Sequence, residues 1–292
     1  MKRLALIGDT LVHKFIYPGH LQGFDPVLMR QLGGWMADMH ADHDGTPMSP
    51  DVCLVAVASR DPSAADIARA CRIERVLPDA RDLSPDEVDG VLILEQDGAK
   101  HLALAAPYLA QGKFVYIDKP IALSVTDLAE MQKMALTTGA RVMAGSALRY
   151  SPKLQEAAAY IKSKRPTGVT IVGPGTWYDY ACHTVEALVV MLGPDIVRHT
   201  QLGSREAGTV LLEWADGLTA CVLFGRRYEP LFRIHTYFTD EMKAWTIDDA
   251  AAYYRGLAQA LVGAISGDQP AIAWEDAWAI TRVIEEVGAT YA

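Results

Sequence analysis

The sequence predicts an α/β protein in which a doubly wound parallel sheet is followed by an open, mainly antiparallel sheet that carries helices. Three observations predict this fold class. Short apolar runs alternate with helical stretches up to about residue 148, as in a parallel sheet that is buried on both faces. Beyond that point apolar and polar side chains alternate along paired strands. The length of 292 residues also favours two domains over one.

The first region contains five predicted strands that are separated by helices. The strands are predicted at residues 4–7, 52–58, 90–94, 114–117 and 141–144. Helices are predicted at residues 64–71, 101–110 and 126–136, where apolar side chains recur at helical spacing. Repeated strand–helix–strand units imply right-handed crossovers and a doubly wound sheet of the Rossmann type. We therefore expect a dinucleotide-binding domain over residues 1–122, with the strand up to about residue 148 and the C-terminal helix able to pack back on it.

The second region begins with a helix at Pro152, a residue favoured at the first helical position. Two alternating strands then flank Asp216–Gly217, a pair typical of a two-residue hairpin turn with positive φ at both central positions. Further strands are predicted at residues 232–238 and 242–247, and closing helices at 250–265 and 274–287. We expect a substrate-binding and oligomerisation domain over residues 123–292.

Composition excludes several classes of function. Lys and Arg number 27 and Asp and Glu number 36, which gives a formal charge of −9 and argues against nucleic-acid binding. No run approaches the ~18 apolar residues that a membrane helix requires, and a strand pattern that begins at Leu4 predicts no signal peptide. The four cysteines form no CxxC pair, so we expect no zinc site, no disulfides and a cytoplasmic location.

The turn after the first strand is where this fold binds the diphosphate of a dinucleotide, on backbone N–H groups. It reads Gly8-Asp9-Thr10-Leu11-Val12-His13 and keeps only the first glycine of the G-x-G-x-x-G pattern. The Thr10 hydroxyl could donate to a phosphate, whereas Asp9 places a negative charge there. The residues of this turn leave nucleotide binding open.

The second strand ends at Ala58 and is followed by Ser59, Arg60 and Asp61. An arginine here favours the 2′-phosphate of NADP, whereas an acidic residue favours the 2′-hydroxyl of NAD. Arg60 is equally consistent with a solvated loop residue. The sequence therefore gives NADP a slight preference over NAD.

Two motifs point to chemistry. A buried strand delivers Asp118-Lys119-Pro120 at its carboxyl end, where ligands bind in open parallel sheets. A glycine-rich stretch then leads into a helix on which Asp179 and His183, four residues apart, share one face. Separately, Asp179 is equally consistent with a helix-dipole residue and His183 with a core histidine. Together with Lys119 they indicate a ligand site.

These stretches resemble the Gfo/Idh/MocA oxidoreductase family over nearly the whole chain. Asp118-Lys119-Pro120 is similar to its E-K-P motif, with Asp in place of Glu, and residues 101–115 resemble the H-x-x-x-A…G-K-x-V approach to it. Arg149-Tyr150 resembles the R-[FY] pair of the family. Residues 175–183 resemble its G-G-x-x-x-D-x-x-x-H helix, and residues 211–219 its strand–turn–strand.

The resemblance implies an NAD(P)-dependent oxidoreductase that transfers hydride between nicotinamide and a hydroxyl- or carbonyl-bearing carbon of a sugar, a cyclic polyol or a derivative. It implies a catalytic trio in which His183 is the general base, Lys119 binds the reacting oxygen and can relay the proton, and Asp179 orients the substrate. The implied substrate-binding residues are Lys119, Arg149, Tyr150, Trp177, Tyr180 and His183. The implied cofactor-binding residues are Gly8, Asp9, Thr10, Ser59, Arg60, Glu95, Gln96, His101 and Asp118. The resemblance also implies a homodimer or homotetramer.

Two alternatives remain open. One is a redox-neutral epimerase, lyase or glycosidase that retains its NAD(P). The other is a non-catalytic ligand-binding or regulatory protein of the same fold that has lost the nucleotide, which the altered turn at residues 8–13 motivates. Residues 95–101 also depart from the T-P-x-x-x-H segment of the family. The polar loop at residues 41–50, with His40, Asp42, His43 and Asp44 in or beside it, is a weak candidate for a metal site, and we expect no metal.

Overall fold

The computed structural model describes residues 1–40, 42–267 and 272–291. The chain divides into two compact units, which are described separately. Unit 1 comprises residues 1–122, 126–145 and 254–272. Unit 2 comprises residues 123–125, 146–253 and 273–292.

Unit 1 contains a six-stranded sheet in which all neighbouring strands are parallel. Its strands are β1 (Lys2–Ile7), β2 (Val52–Ala58), β3 (Arg75–Leu77), β4 (Gly90–Ile93), β5 (Phe114–Ile117) and β6 (Val142–Ala144). The spatial order is β3-β2-β1-β4-β5-β6. The order reverses between β1 and β4, the position at which this fold binds ligands. The prediction of a doubly wound Rossmann-type sheet is confirmed.

The helices in this part of the chain are α1 (Ile16–Gln22), α2 (Pro26–Leu32), α3 (Trp35–Asp38), α4 (Ala64–Ala70), α5 (His101–Leu109), α6 (Val125–Thr138) and the long α9 (Ala250–Ser266). The first three, α1, α2 and α3, were not predicted from the sequence. The start of α2 carries a readable signal, because the Asp25 carboxylate accepts from the backbone N–H groups of Val27 and Leu28 and Pro26 follows it. The short strand β3 was also not predicted.

A cluster of imidazoles lies beside α1. The ring centroids of His20 and His40 are 4.4 Å apart, and that of His43 is 5.4 Å from His20. Both His20 and His40 are buried, and the His20 ring nitrogens have no hydrogen-bond partner within the described residues. In the parts of the chain that the structure describes, no three His, Cys, Asp or Glu side chains form a group that could hold a metal ion.

Unit 2 contains a mixed, mostly antiparallel six-stranded sheet. Its strands are β7 (Gly168–Pro174), β8 (Ile196–Ser204), β9 (Ala207–Trp214), β10 (Thr219–Gly225), β11 (Phe232–Tyr237) and β12 (Met242–Ile247), in the order β12-β11-β7-β10-β9-β8. Among the described strands, β7 and β10 pair in parallel and the other neighbours pair antiparallel. The predicted mainly antiparallel sheet is confirmed, although β8 was not predicted because most of its residues are exposed.

The hairpin between β9 and β10 has a different turn from the predicted one. The Trp214 N–H donates to the Leu218 carbonyl at 2.9 Å, so three residues rather than two form the loop. Of the Asp216–Gly217 pair, only Gly217 has a positive φ, 84°. The Asp216 carboxylate instead accepts from the Leu218 N–H at 3.0 Å. The aspartate closes a local side-chain turn and the glycine supplies the left-handed position.

Three helices of unit 2 pack within it: α7 (Pro152–Ser163), α8 (Trp177–Leu192) and α10 (Trp274–Thr290). The Ser151 hydroxyl caps α7 by accepting from the Leu154 N–H, as expected for a serine before a first-position proline. The first turn of α8 directly follows β7 and so brings its side chains to the end of the sheet. Across the described ranges, every helix is too short or too polar to cross a membrane.

Candidate functional site

The backbone N–H groups after β1 are bound by carboxylates of the same chain. The N–H groups of Asp9 and Thr10 both donate to Oε2 of Glu95, at 2.5 and 3.1 Å. The Leu11 N–H donates to Oδ2 of Asp61 at 2.9 Å. These three consecutive groups lie where a Rossmann fold offers N–H donors to a diphosphate.

Backbone pairing also joins the turn after β1 to the segment after β4. The Val12 N–H donates to the Leu94 carbonyl, and the Gln96 N–H donates to the Thr10 carbonyl, both at 2.9 Å. The two segments form an antiparallel bridge beyond the ends of their parallel strands. The pairing therefore covers the carboxyl ends of β1 and β4, where the strand order reverses.

Glu95 lies at the centre of this closure. Its side chain is fully buried, and Oε1 accepts from the Asp97 N–H at 3.0 Å. The Lys100 Nζ is 3.8 Å from the same oxygen. Gly8 has φ of 151°, and a Cβ at this position would be 3.0 Å from the Glu95 backbone nitrogen. The first glycine of the turn thus permits the close approach of the segment that carries Glu95.

The structure brings together four of the predicted cofactor-binding residues, Gly8, Asp9, Thr10 and Glu95, but they contact one another. A dinucleotide diphosphate is an anion that needs the same N–H donors. In this arrangement the donors are bound, and the groups that bind them are themselves negatively charged. The turn as folded does not fit the diphosphate of a dinucleotide.

The residues after β2 are also bound within the chain. The Arg60 guanidinium pairs with Asp79 and lies 3.9 Å from a carboxylate oxygen of Asp9. Hydrogen bonds from Arg81 and Arg60 lower the pKa of Asp79 below its usual range. The buried Ser59 hydroxyl accepts from the Asp61 N–H at 2.9 Å. Arg60 therefore presents a charge that two carboxylates already balance.

The end of β5 is connected to the turn after β1 by a contact between a histidine and an aspartate side chain. Nδ1 of His13 is 2.6 Å from Oδ2 of Asp118, which is fully buried. The other Asp118 oxygen accepts from the Lys119 N–H at 2.9 Å. Burial raises the pKa of Asp118, but His13 and Lys119 outweigh it and hold the pKa below its usual range. His13 takes a positive φ of 49°, which is uncommon outside glycine.

Lys119 itself is partly exposed and precedes a cis peptide bond to Pro120. It lies at the carboxyl end of β5, as the sequence predicts. Ligands bind in open parallel sheets at this end of the strands. Of the predicted cofactor residues nearby, Gln96 is exposed and Asp118 is buried.

The predicted contact of His101 with a cofactor stays a prediction, and the side chain is bound within the chain. Its side chain is fully buried, and both ring nitrogens are used on backbone carbonyls. Nδ1 is 2.9 Å from the Pro120 carbonyl, and Nε2 is 2.9 Å from the Glu95 carbonyl. His101 thus holds the segment after β4 beside the segment after β5.

In unit 2, His183 projects from α8 with a fixed ring. Its Nδ1 is 2.5 Å from the hydroxyl of Ser146, which is buried and whose N–H donates to Glu186 at 2.8 Å. The ring centroid is 5.5 Å from Tyr180 and 5.7 Å from Phe232. His183 is half-buried. The contact with Ser146 orients the imidazole, a side chain that is suited to proton exchange with a ligand.

Asp179 lies one turn before His183, on the same helix face, and is exposed. Its Oδ2 accepts from the Thr176 hydroxyl at 2.7 Å, and its N–H donates to that hydroxyl at 3.2 Å. Thr176 is therefore the N-cap of α8. The Arg226 guanidinium is 3.9 Å from the same carboxylate. Asp179 thus has the expected helix-start role, and its part in catalysis stays a prediction.

Arg149 is held in a partly buried ion-pair network. Its guanidinium donates to Glu186 at 2.8 Å and to Asp276 at 3.1 Å. Burial would lower the pKa of Arg149, but these two carboxylates raise it above its usual range. Burial of Glu186 raises the pKa of that carboxyl despite the arginine. These contacts favour a supporting role over contact with substrate, and burial raises the pKa of the adjacent Tyr150 to about 12.

The predicted contact of Trp177 with substrate stays a prediction, and the structure places this residue in the core of unit 2. Its side chain is fully buried, its Nε1 donates to the Ile284 carbonyl at 3.1 Å, and its ring packs on Phe224. The first apolar position of α8 faces the core because the helix packs on the sheet of unit 2. Tyr180, by contrast, is 41% exposed beside His183 and remains a candidate for substrate contact.

Two residues of the His183 site were not predicted from the sequence. Ser146 caps the short turn at Ala147–Tyr150 by accepting from the Leu148 N–H, so its capping position was a readable signal. Glu186 follows His183 by three residues and therefore shares its helix face. Their contacts with each other join segments 40 residues apart, and no local pattern predicts that pairing.

Residues 33–146 match the sequence family described as "Oxidoreductase family, NAD-binding Rossmann fold". The match begins after the turn at residues 8–13 and after α1. No curated protein sequence is significantly similar to the chain. The match confirms the resemblance to this family over residues 33–146, and the parallel sheet of unit 1 has the Rossmann fold.

Solved structures share the fold at low sequence identity. An apo scyllo-inositol dehydrogenase from Lactobacillus casei has a TM-score of 0.77 at 16% identity and covers 100% of this chain and 96% of its own. For a myo-inositol 2-dehydrogenase from Lactobacillus plantarum the values are 0.74, 15%, 99% and 97%. For an oxidoreductase from Agrobacterium radiobacter in complex with NAD+, L-tartaric acid and magnesium they are 0.72, 16%, 99% and 96%.

Proposed function

We propose, from the premise that residues 33–146 form the Rossmann domain of a Gfo/Idh/MocA oxidoreductase, that the chain is an NAD(P)-dependent oxidoreductase. Its substrate would be a hydroxyl- or carbonyl-bearing carbon of a sugar, a cyclic polyol or a derivative. The observation that carries the proposal is the half-buried His183 ring, held by Ser146 beside the exposed Asp179 and Tyr180. Inositol dehydrogenases among the proteins of similar fold support the substrate class.

The proton side of the reaction is assigned to His183. We assign the Nδ1–H as donor to the Ser146 hydroxyl, at 2.5 Å, so that Nε2 is the basic nitrogen. Nε2 then accepts the hydroxyl proton of the substrate in oxidation and returns it in reduction. Imidazole suits this task because its unperturbed pKa is close to neutral pH.

Lys119 and Asp179 are assigned to binding the reacting groups. Lys119, at the carboxyl end of β5, would donate a hydrogen bond to the oxygen that gains or loses charge. Asp179, exposed on the first turn of α8, would accept from a neighbouring substrate hydroxyl. Each assignment rests on the position of the residue within its own unit.

A second candidate function follows from the turn after β1. Since Glu95 and Asp61 bind the N–H groups of Asp9, Thr10 and Leu11, the chain could be a ligand-binding protein that does not use a nucleotide. The preference for NADP over NAD stays a prediction, and the pairing of Arg60 with Asp79 weakens its basis.

The deciding experiment is an equilibrium titration of the purified protein with NADH and with NADPH, followed by quenching of its six tryptophans. Saturable binding of either nucleotide, together with loss of turnover in Lys119→Ala, supports the oxidoreductase. Binding of a polyol such as myo-inositol without binding of either nucleotide supports the second candidate and contradicts the first. Tenfold tighter binding of NADPH, ~1.4 kcal/mol, would support Arg60 as a phosphate contact.

A further inference from the structure

We infer that Glu95 is an internal occupant of the diphosphate subsite, so that a dinucleotide binds unit 1 only after the Glu95 carboxylate has left the turn. The inference rests on the proposed function, because it concerns the cofactor which that function requires. It assigns to Glu95 a competitive role that neither the fold nor the family match describes.

Glu95 and a diphosphate offer the turn the same kind of hydrogen-bond acceptor. A phosphate oxygen at a Rossmann turn is a charged acceptor of consecutive backbone N–H groups. Oε2 of Glu95 is also a charged acceptor, and it binds the N–H groups of Asp9 and Thr10 at 2.5 and 3.1 Å. The next N–H along the turn, that of Leu11, is bound by the Asp61 carboxylate at 2.9 Å. Two carboxylates therefore satisfy the donors that would bind a diphosphate.

The contacts of Glu95 stabilise its carboxylate in the turn. A buried carboxylate is costly unless hydrogen bonds and charges compensate it. Glu95 is fully buried, and it receives a third N–H from Asp97 and the nearby charge of Lys100. These contacts compensate Glu95 when it points into the turn. When the Glu95 carboxylate leaves the turn, these hydrogen bonds are lost, and the incoming diphosphate must replace them.

The segment after β4 lies close against the turn after β1. The backbone pairs of Val12 with Leu94 and of Gln96 with Thr10 hold the segment after β4 against the turn. A Cβ at Gly8 would lie only 3.0 Å from the Glu95 backbone nitrogen, so the segment is as close to the turn as a glycine permits. The turn after β1 and the segment after β4 leave no room between them for a diphosphate beside Glu95. The two would therefore compete for the same N–H groups. Binding of one excludes the other.

A matched pair of substitutions separates this competition from a general change in charge. Glu95→Gln removes the negative charge but keeps the shape of the side chain. Asp97→Asn removes a negative charge two residues away, from an exposed side chain that accepts from the Ala99 N–H and does not contact the turn. We expect Glu95→Gln to bind NADH at least tenfold more tightly than the unchanged protein. Asp97→Asn should bind it within twofold of the unchanged protein.

The binding experiment is a titration of the three proteins with NADH at one salt concentration. The expected tenfold gain corresponds to ~1.4 kcal/mol. If the unchanged protein binds NADH and Glu95→Gln binds it with the same affinity, Glu95 is not a competitor. The inference then fails while the proposed function stands.

Amide hydrogen exchange of residues 9 and 10 provides a readout without nucleotide. Glu95→Ala, whose folding is checked by circular dichroism, should expose these amides and raise their exchange rates at least tenfold, whereas Asp97→Asn should not. Equal rates in the unchanged protein and in Glu95→Ala would overturn the inference. If no protein in the series binds NADH, the proposed nucleotide dependence fails. The exchange rates then decide separately whether Glu95 occupies the turn.

Discussion

The turn after β1 in unit 1 and the start of α8 in unit 2 are both candidate ligand sites, but they differ in what their polar groups already bind. In the turn, the N–H groups of Asp9 and Thr10 are bound by the buried Glu95. At the start of α8, Asp179 and Tyr180 are exposed and His183 is half-buried. The comparison teaches that a motif position is informative only together with the bonds its groups make in the folded chain.

The largest expected effect is on the His183 site. Replacing His183 with Asn removes the proposed proton acceptor, so kcat/KM for a polyol substrate should fall by about 10²–10⁴-fold. Steady-state kinetics of the purified variant measure this loss. His199→Asn is the matched control, because this histidine lies on β8 of the same unit and pairs with Glu286. Equal losses in both variants, or none in His183→Asn, would remove His183 from the mechanism.

A second expected effect concerns the buried charges beneath the same site. Arg149→Met leaves Glu186 buried without its ion-pair partner, which should lower the free energy of unfolding by about 3–5 kcal/mol. Urea unfolding measures the difference. In the control Arg198→Met, an exposed pair with Glu213 is lost, and the change should be below ~1 kcal/mol. A large rise in KM with unchanged stability would instead make Arg149 a substrate contact.

The smallest change expected per pH unit is in the stability of unit 1, which contains the buried His20 and His40. Burial is the main cause that lowers the pKa of His20 to about 3 and that of His40 to about 4, with His43 and Arg255 contributing. Below the unfolded pKa of about 6.5 the unfolded chain binds protons that the folded chain does not. Stability should therefore be highest above this pH and should fall as the pH drops from about 6.5 towards 4, by up to ~1.4 kcal/mol per pH unit for each histidine.

Urea unfolding at pH 7, 6 and 5 checks this slope, with His20→Gln as the comparison. The variant should lose about half of the pH dependence, because one of the two buried imidazoles is absent. As the pH falls, activity at the α8 site should be lost together with the folded protein and not before it. An unchanged slope in the variant would mean that other groups cause the acid sensitivity.

Much of the fold could be predicted because it depends on local periodicity. The strands of unit 1 read as apolar runs, and β2, β5 and β12 have the predicted bounds. The strands β3 and β8 were missed because the first has three residues and the second is mostly exposed. The helices α1–α3 lie in a stretch without a regular apolar period, although Asp25-Pro26 marked one helix start.

The candidate site was less predictable, because its contacts join distant segments. Lys119 lies at the end of a strand, and Asp179 and His183 share one face of a helix, as the spacing predicts. The partner of His183, Ser146, lies 37 residues earlier, and Glu95 reaches N–H groups 86 and 85 residues away. The orientation of Trp177 was equally hard to predict, since this aromatic residue beside a site motif faces the core.

The parallel pairing of β7 with β10 has a consequence for the order in which unit 2 assembles. The β9–β10 hairpin closes through three residues, and hairpins of this kind form within about 1–10 μs. The pairing of β7 with β10 closes a loop that contains the whole segment from α8 to β9, and such long-range contacts form slowly. The α8 site directly follows β7. We therefore expect the ligand-binding residues of unit 2 to be among the last to reach their final positions during refolding.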